Sequence, residues 1–193
     1  MNLPNRITLS RLFLSILLFA ILMALDRQGY ADRLWAGIAC LVFIIVAATD
    51  ALDGYLARKY DQVSDFGRIA DPFVDKISVC GTFVFFCASP SVNDIVPAWL
   101  VVLIVAREFL VTALRGFVES KGVPFGADQL GKIKMVVQCV TISCVLFYFS
   151  VLPEAGWARG TLIGFVYATA AITLISGVSY LQKARRLIGG SLG

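Results

Sequence analysis

Residues 50–76 of the chain read DALDGYLARKYDQVSDFGRIADPFVDK, and long apolar segments lie on both sides of this stretch. Its acidic residues follow a helical spacing: Asp50 and Asp53 are three positions apart, and Asp71 and Asp75 are four apart. Each pair therefore shares one face of an α-helix. Two antiparallel helices joined near residue 60 would bring the four carboxylates together. Ionisable groups at membrane depth cost at least about 2.5–3.5 kcal/mol each, so these four are expected to face the protein interior.

The composition of the whole chain indicates a membrane protein. Of its 193 residues, 59% are hydrophobic and 16% are charged, whereas soluble domains carry about 25% charged residues. A soluble fold of this size cannot bury so much apolar surface. We therefore predict an all-α integral membrane protein, with residues 1–193 forming a single membrane-embedded domain.

Six apolar runs are long enough to cross a bilayer, which takes about 20 helical residues. They cover residues 7–25, 34–57, 66–88, 95–117, 133–152 and 161–181. The segment ahead of the first run mixes apolar and basic residues. We predict that it forms a short N-terminal interfacial helix, with a plain positive flank to the first span as the alternative.

The basic residues are distributed unevenly between the two sides of this arrangement. Of the 17 Lys and Arg residues, Arg27, Arg33 and Arg159 alone fall on one side. By the positive-inside bias, the other side, which carries both termini and the acidic stretch, faces the cytoplasm. Short loops and the lack of an evident transit peptide favour a bacterial inner (cytoplasmic) membrane.

Several classes of chemistry are excluded by the residues present. The chain has no histidine, which rules out Ser-His-Asp triads and HExxH zinc sites. Its five cysteines lie in apolar runs without CxxC spacing, as expected of small hydrophobic side chains rather than metal ligands or disulfides. No basic stripe indicates a nucleic-acid partner.

The clustered carboxylates need a neutralising partner, because they cannot all stay ionised alone. Protonation, salt bridges to Arg58, Arg68 and Lys76, or divalent cations would each serve. Oxygen-only coordination suits Mg²⁺ or Mn²⁺, and we favour two such cations over an internal ion-pair network. Gly54 and Gly67 permit either close helix packing or the approach of a bulky ligand.

The acidic stretch matches every defined position of the signature D-x-x-D-G-x-x-A-R-x8-G-x3-D-x3-D. The chain therefore resembles the CDP-alcohol phosphotransferases. That resemblance implies six transmembrane helices, usually in a homodimer, with the active site open to the cytoplasmic leaflet. It also implies a reaction in which an alcohol displaces CMP from a CDP-linked lipid.

The resemblance assigns roles to individual residues. The metal ligands would be Asp50, Asp53, Asp71 and Asp75, and Asp75 would also take the proton of the attacking hydroxyl as the catalytic base. The residues framing the CDP-lipid would be Asn5, Gly54, Ala57, Arg58 and Gly67. Two cations about 3.5–4 Å apart would neutralise charge on the attacked phosphorus and on the leaving CMP.

A second charged group lies further along the chain. Arg107 and Arg115 are eight positions apart in the fourth span, and Lys132 and Lys134 open the fifth. Arginine and lysine side chains bind phosphate, so we predict that these four hold the phosphate of an anionic acceptor. The alternatives are positive-inside flanks and, for Arg107, pairing with the adjacent Glu108.

The chain also resembles one branch of the family, the phosphatidylglycerophosphate synthases. The shared features are an Asn-Leu-Pro-Asn start (2–5), Asp-Pro-x-x-Asp-Lys (71–76), Arg-Glu (107–108) and Gly-Lys-x-Lys (131–134). Met135 departs from that pattern, which favours a threonine-like residue. The resemblance implies CDP-diacylglycerol as donor and sn-glycerol 3-phosphate as acceptor.

Two other functions remain open from the sequence. Related enzymes use serine or inositol phosphate as acceptor. A divalent-cation transporter would also line a membrane cavity with carboxylates, although such proteins place their ligands near the midplane of an internal repeat. The chain shows no repeated half.

Overall fold

A computed structural model describes residues 3–60, 65–122, 125–126, 128–153 and 155–190. Within residues 3–8, 50–60, 65–72, 75 and 188–190 it describes the backbone alone. In these ranges the chain forms six α-helices and no strand. They are α1 (Leu3–Arg27), α2 (Arg33–Tyr60), α3 (Asp65–Ala88), α4 (Ala98–Ser120), α5 (Gln129–Val151) and α6 (Gly156–Gly190).

Short turns separate the helices on the side away from the acidic stretch. Between α1 and α2, Gly29 and Tyr30 adopt φ values of 62° and 57°, the left-handed conformation that reverses a chain. Asp32 then caps α2, because its Oδ1 accepts hydrogen bonds from the backbone of Leu34 and Trp35 at 3.0 and 3.2 Å. Such a cap satisfies amide groups that the first helical turn leaves without partners.

The helices pack as a closed ring in the order α1, α2, α5, α6, α4, α3, with α3 also touching α5 across the centre. Helices α1 and α3 run parallel, because Ser15 contacts Ser78 and Phe19 stacks on Phe85 further along both helices. Helices α4 and α6 also run parallel. Trp99 contacts Tyr167, and Arg107, further along α4, contacts Ser176, further along α6.

Antiparallel pairs complete the ring. Cys40 of α2 contacts Ser143 of α5, and Gly37 lies against Ser150, so these two helices run in opposite directions. Between α5 and α6, Thr141 is hydrogen-bonded to Thr169 at 2.8 Å. The starts of α1, α3 and α5 therefore meet the ends of α2, α4 and α6 at one end of the bundle, which we call the charged end.

Two apolar clusters of unequal size fill the bundle. The larger occupies the half away from the charged end and includes the fully buried Leu22, Phe43, Phe83 and Leu146. The smaller lies at the charged end around Val118. Between them is a layer of buried polar side chains, which we call the polar layer. It contains Arg11, Ser15, Ser78, Arg107, Lys134, Gln138, Thr173 and Ser176.

The outer surface is apolar, as a lipid-facing surface requires. Phe109 and Leu34 are 73% and 71% exposed, and large aliphatic and aromatic side chains are exposed on every helix. Three helical segments of the described chain are long and apolar enough to cross a membrane, namely Leu9–Arg27, Gln129–Val151 and Gly156–Leu187. The structure therefore confirms an all-α chain with long apolar helices, as predicted for a membrane protein.

The helix boundaries refine the prediction in two places. The predicted interfacial helix at the amino terminus is not a separate element, since Leu3–Arg27 is one continuous helix. The segment between the fourth and fifth helices is shorter than the apolar runs predict, because α4 continues to Ser120 and α5 begins at Gln129. Arg115 and Lys134 are therefore held on helices, which fixes their backbone positions.

Candidate active site

Arg107 and Lys134 meet at the carboxylate of Glu108. Arg107 Nη1 donates a hydrogen bond to Glu108 Oε1 at 3.0 Å, and Lys134 Nζ donates to the same oxygen at 2.5 Å. Arg107 Nη2 donates to the hydroxyl of Ser176 on α6. Arg107 and Lys134 are 7% and 6% exposed. Three helices thus build one buried cluster from two cations and one anion, leaving a net positive charge.

The start of α5 is tied to this cluster through Tyr180 of α6. The Tyr180 hydroxyl accepts a hydrogen bond from the backbone of Asp128 at 2.9 Å, and the Arg107 guanidinium lies 5.2 Å from the centre of the tyrosine ring. Gly131 provides the space, because a Cβ there would lie 3.2 Å from the Tyr180 hydroxyl. This contact gives a structural reason for glycine in the Gly-Lys-x-Lys segment.

The backbone register places the acidic motif at the same depth as this cluster. Cys40 contacts Ser143 across antiparallel helices, so Asp50, ten residues on in α2, lies level with residue 133 of α5. On α3, Lys76 Nζ donates to Thr112 Oγ1 at 2.5 Å. Thr112 in turn donates to the backbone carbonyl of Glu108 at 2.7 Å.

The predicted metal and CDP-lipid residues lie on α1, α2 and α3, but their side chains are outside the described part of the structure. This group comprises Asn5, Asp50, Asp53, Gly54, Ala57, Arg58, Gly67, Asp71 and Asp75. Among the side chains that are described, no group of three or more His, Cys, Asp or Glu forms a metal site. The two-cation site therefore stays a prediction.

The four predicted acceptor-binding residues divide into two pairs. Arg107 and Lys134 are brought together, whereas Lys132 is exposed on α5 and Arg115 is half-buried on α4. Within the described side chains neither Lys132 nor Arg115 forms an ion pair. Lys132 precedes Lys134 in α5, and Arg115 follows Arg107 in α4, so both lie closer to the charged end of the bundle than the buried cluster does.

Sequence reasoning missed the contribution of α6 and, on α1, that of Arg11. Ser176 and Tyr180 contact Arg107, and a Cβ on Gly177 would lie 3.5 Å from the Arg107 side chain. The polar positions 169, 173, 176 and 180 of α6 follow a helical spacing, which was the available signal. Arg11 was also missed; it is 1% exposed, and the contact between Ser15 and Ser78 places it level with Val74, next to Asp75.

The chain is similar in sequence to a known family of enzymes. The family model for CDP-alcohol phosphatidyltransferases matches residues 1–177. A CDP-diacylglycerol–glycerol-3-phosphate 3-phosphatidyltransferase of Bacillus subtilis is 34% identical over 197 residues, covering 94% of each chain. A probable phosphatidylglycerophosphate synthase of Mycobacterium tuberculosis is 35% identical, over 98% of this chain and 84% of its own. The predicted resemblance is confirmed, and the chain belongs to the CDP-alcohol phosphatidyltransferase family.

Proposed function

We propose that this protein transfers the phosphatidyl group of CDP-diacylglycerol to sn-glycerol 3-phosphate, giving phosphatidylglycerophosphate and CMP. The observation that carries the proposal is the buried cluster of Arg107, Glu108 and Lys134 at the depth of the acidic motif. Relatives similar over nearly the whole chain have names that describe the same reaction.

The net charge of the cluster supports an anionic acceptor. Desolvated Arg and Lys donors bind phosphate more strongly than they do in water, since the local dielectric constant is low. Arg107 also has a fixed orientation, because Ser176 and Tyr180 hold its guanidinium. A phosphate bound beside Arg107 and Lys134 places the rest of a small acceptor within reach of the acidic motif. Serine, which carries no phosphate, would leave these cations unused.

The residues of the chain divide the reaction between them. Gly54, Ala57, Arg58, Gly67 and Asn5 bind the CDP-lipid. Asp75 takes the proton of the terminal acceptor hydroxyl as its oxygen forms a bond to the phosphatidyl phosphorus. The phosphoanhydride bond to CMP breaks, and CMP leaves with the electron pair. The acceptor phosphate is held by Arg107 and Lys134. Arg115 and Lys132, which lie nearer the charged end, assist them.

Asp50, Asp53, Asp71 and Asp75 would hold two divalent cations, Mg²⁺ or Mn²⁺. The donor chemistry fits, because carboxylate oxygens are the ligands these ions prefer, and the chain has no histidine to offer a softer site. When bound, such cations neutralise charge on a transferring phosphoryl group and its leaving group.

The proposed function also implies a membrane topology, a location and an oligomeric state. All six helices cross the membrane, with the turns of α1 before Leu9 at its surface. The charged end faces the cytoplasm of a bacterial inner membrane, among membrane lipids, and the chain forms a homodimer as family members usually do.

An acceptor screen on the purified protein in detergent tests the proposal. CMP release from CDP-diacylglycerol is followed with glycerol 3-phosphate, inositol phosphate or serine, in the presence of Mg²⁺ or Mn²⁺. We expect glycerol 3-phosphate to be the best acceptor and a chelator to abolish turnover. Serine as the best acceptor would overturn the assignment.

Single substitutions separate the two halves of the site. Arg107→Ala and Lys134→Ala are expected to raise the KM for glycerol 3-phosphate at least about tenfold, as loss of a charged hydrogen bond does, without weakening CDP-lipid binding. Asp75→Asn is expected to abolish turnover while Mn²⁺ still binds. Arg159→Ala, an exposed position at the opposite end, is the control. Equal loss of CDP-lipid binding in all three site variants would contradict this division.

A further inference from the structure

Three buried polar atoms next to the cation cluster have no hydrogen-bond partner within the described part of the chain. They are Arg107 Nε, the side-chain amide nitrogen of Gln138 and the hydroxyl of Thr173. Gln138 is 1% exposed and Thr173 is 0% exposed. Leaving a buried polar group without a partner costs about 1–3 kcal/mol, so these groups are expected to face a polar ligand.

Gln138 of α5 and Thr173 of α6 lie at a similar depth in the bundle. The hydrogen bond between Thr141 and Thr169 sets the antiparallel register, which puts Gln138 level with residue 172, adjacent to Thr173. The cluster residues Lys134 and Ser176 are one helical turn closer to the charged end. The unpartnered amide nitrogen of Gln138 and the hydroxyl of Thr173 therefore lie about one helical turn deeper than Arg107 and Lys134, the cations proposed to hold the acceptor phosphate.

The chemistry of this pair suits a neutral hydroxyl group. An amide both donates and accepts hydrogen bonds, and so does a threonine hydroxyl. Neither carries charge, and the phosphate already has Arg107 and Lys134. One helical turn advances about 5.4 Å, a separation comparable to that between the phosphate of a three-carbon phosphate ester and its middle hydroxyl.

We propose that Gln138 and Thr173 bind the secondary hydroxyl of the acceptor, the group that distinguishes glycerol 3-phosphate from a simple hydroxyalkyl phosphate. This inference rests on the proposed function and adds a specificity-determining subsite to it. The subsite orients the acceptor about its phosphate, so that the terminal hydroxyl is presented to the donor.

The test compares two acceptors that share the phosphate and the attacking hydroxyl. Glycerol 3-phosphate carries the secondary hydroxyl, and 3-hydroxypropyl phosphate lacks it. We expect the wild-type kcat/KM to favour glycerol 3-phosphate by about tenfold or more, because an analogue that leaves buried polar groups unpaired is rejected. In Gln138→Leu and Thr173→Val the preference should fall towards one, because kcat/KM falls chiefly for glycerol 3-phosphate, whose secondary hydroxyl loses a partner.

Leu and Val keep the approximate size of the two side chains and remove the unpartnered Gln138 nitrogen and Thr173 hydroxyl, so we expect both variants to fold. Thr141→Val is the matched control, since its hydroxyl is already bonded to Thr169; it should keep the wild-type preference. Calorimetric titration of wild-type protein with each acceptor gives a second measure that needs no variant.

Each other outcome is decisive. Equal use or equal binding of the two acceptors by wild type would overturn the subsite, as would an unchanged preference in both variants. Failure of wild type to use glycerol 3-phosphate, with turnover on another acceptor, would instead overturn the proposed function.

Discussion

Glu108 is the anion that makes two buried cations tolerable in the polar layer. Arg107 and Lys134 both donate to its Oε1. Removing one partner of a buried ion pair leaves an uncompensated charge and costs about 3–5 kcal/mol. We expect Glu108→Leu to lower the free energy of unfolding by about that amount, measured by denaturation in detergent. Saturating glycerol 3-phosphate should restore part of the loss, because its phosphate supplies a replacement anion.

The exposed Glu119 of the same helix provides the control for this measurement. Glu119→Leu should change stability little and should not respond to glycerol 3-phosphate. Full stability of Glu108→Leu without ligand would show that the cations do not depend on this carboxylate.

The sequence grouped Arg107 and Lys134 with Arg115 and Lys132 as one set of cations, and the structure brings Arg107 and Lys134 together at Glu108. The sequence also offered Glu108 as a neighbour. Ser176, Tyr180 and Gln138 were not predicted as site residues. A serine, tyrosine or glutamine in an apolar helix has many uses, and its meaning depends on which helix packs against it.

Packing between α1 and α3 depends on the missing side chain of Gly81. A Cβ at this position would collide with the ring of Phe19, which stacks on Phe85 at 5.3 Å. We expect Gly81→Leu to separate the helices and to cost about 1–3 kcal/mol, as overpacking does. Thermal unfolding in detergent measures it.

Gly164→Leu on α6 is the matched change, since a Cβ there meets nothing within 4 Å. Equal stability losses in the two variants would show that the α1–α3 contact is not tight.

Hydropathy predicts that the helices exist, but it does not predict which helices pack against each other. Six apolar runs predicted six helices, and each helix overlaps most of its predicted run, although α6 extends to Gly190, well beyond the predicted end at residue 181. The ring order, in which α2 neighbours α5 and α4 neighbours α6, is set by side-chain shape across the interfaces. Hydropathy along a single chain contains no information on that complementarity.

For the molecule as a whole, the distribution of charge predicts its orientation in the membrane. Ser91 lies in the turn between α3 and α4, and Ser120 ends α4 at the charged end. In a variant lacking the five native cysteines, we expect Ser91→Cys to react with a membrane-impermeant maleimide on intact cells. Ser120→Cys should react after permeabilisation alone. The reverse pattern would place the charged end outside the cell.

The larger apolar cluster closes the bundle beneath the polar layer, from Leu22 and Phe43 to Leu146. A polar molecule that approaches from the charged end therefore meets packed apolar side chains beyond the polar layer. We therefore expect the lipid product to remain in the leaflet from which its precursor was drawn.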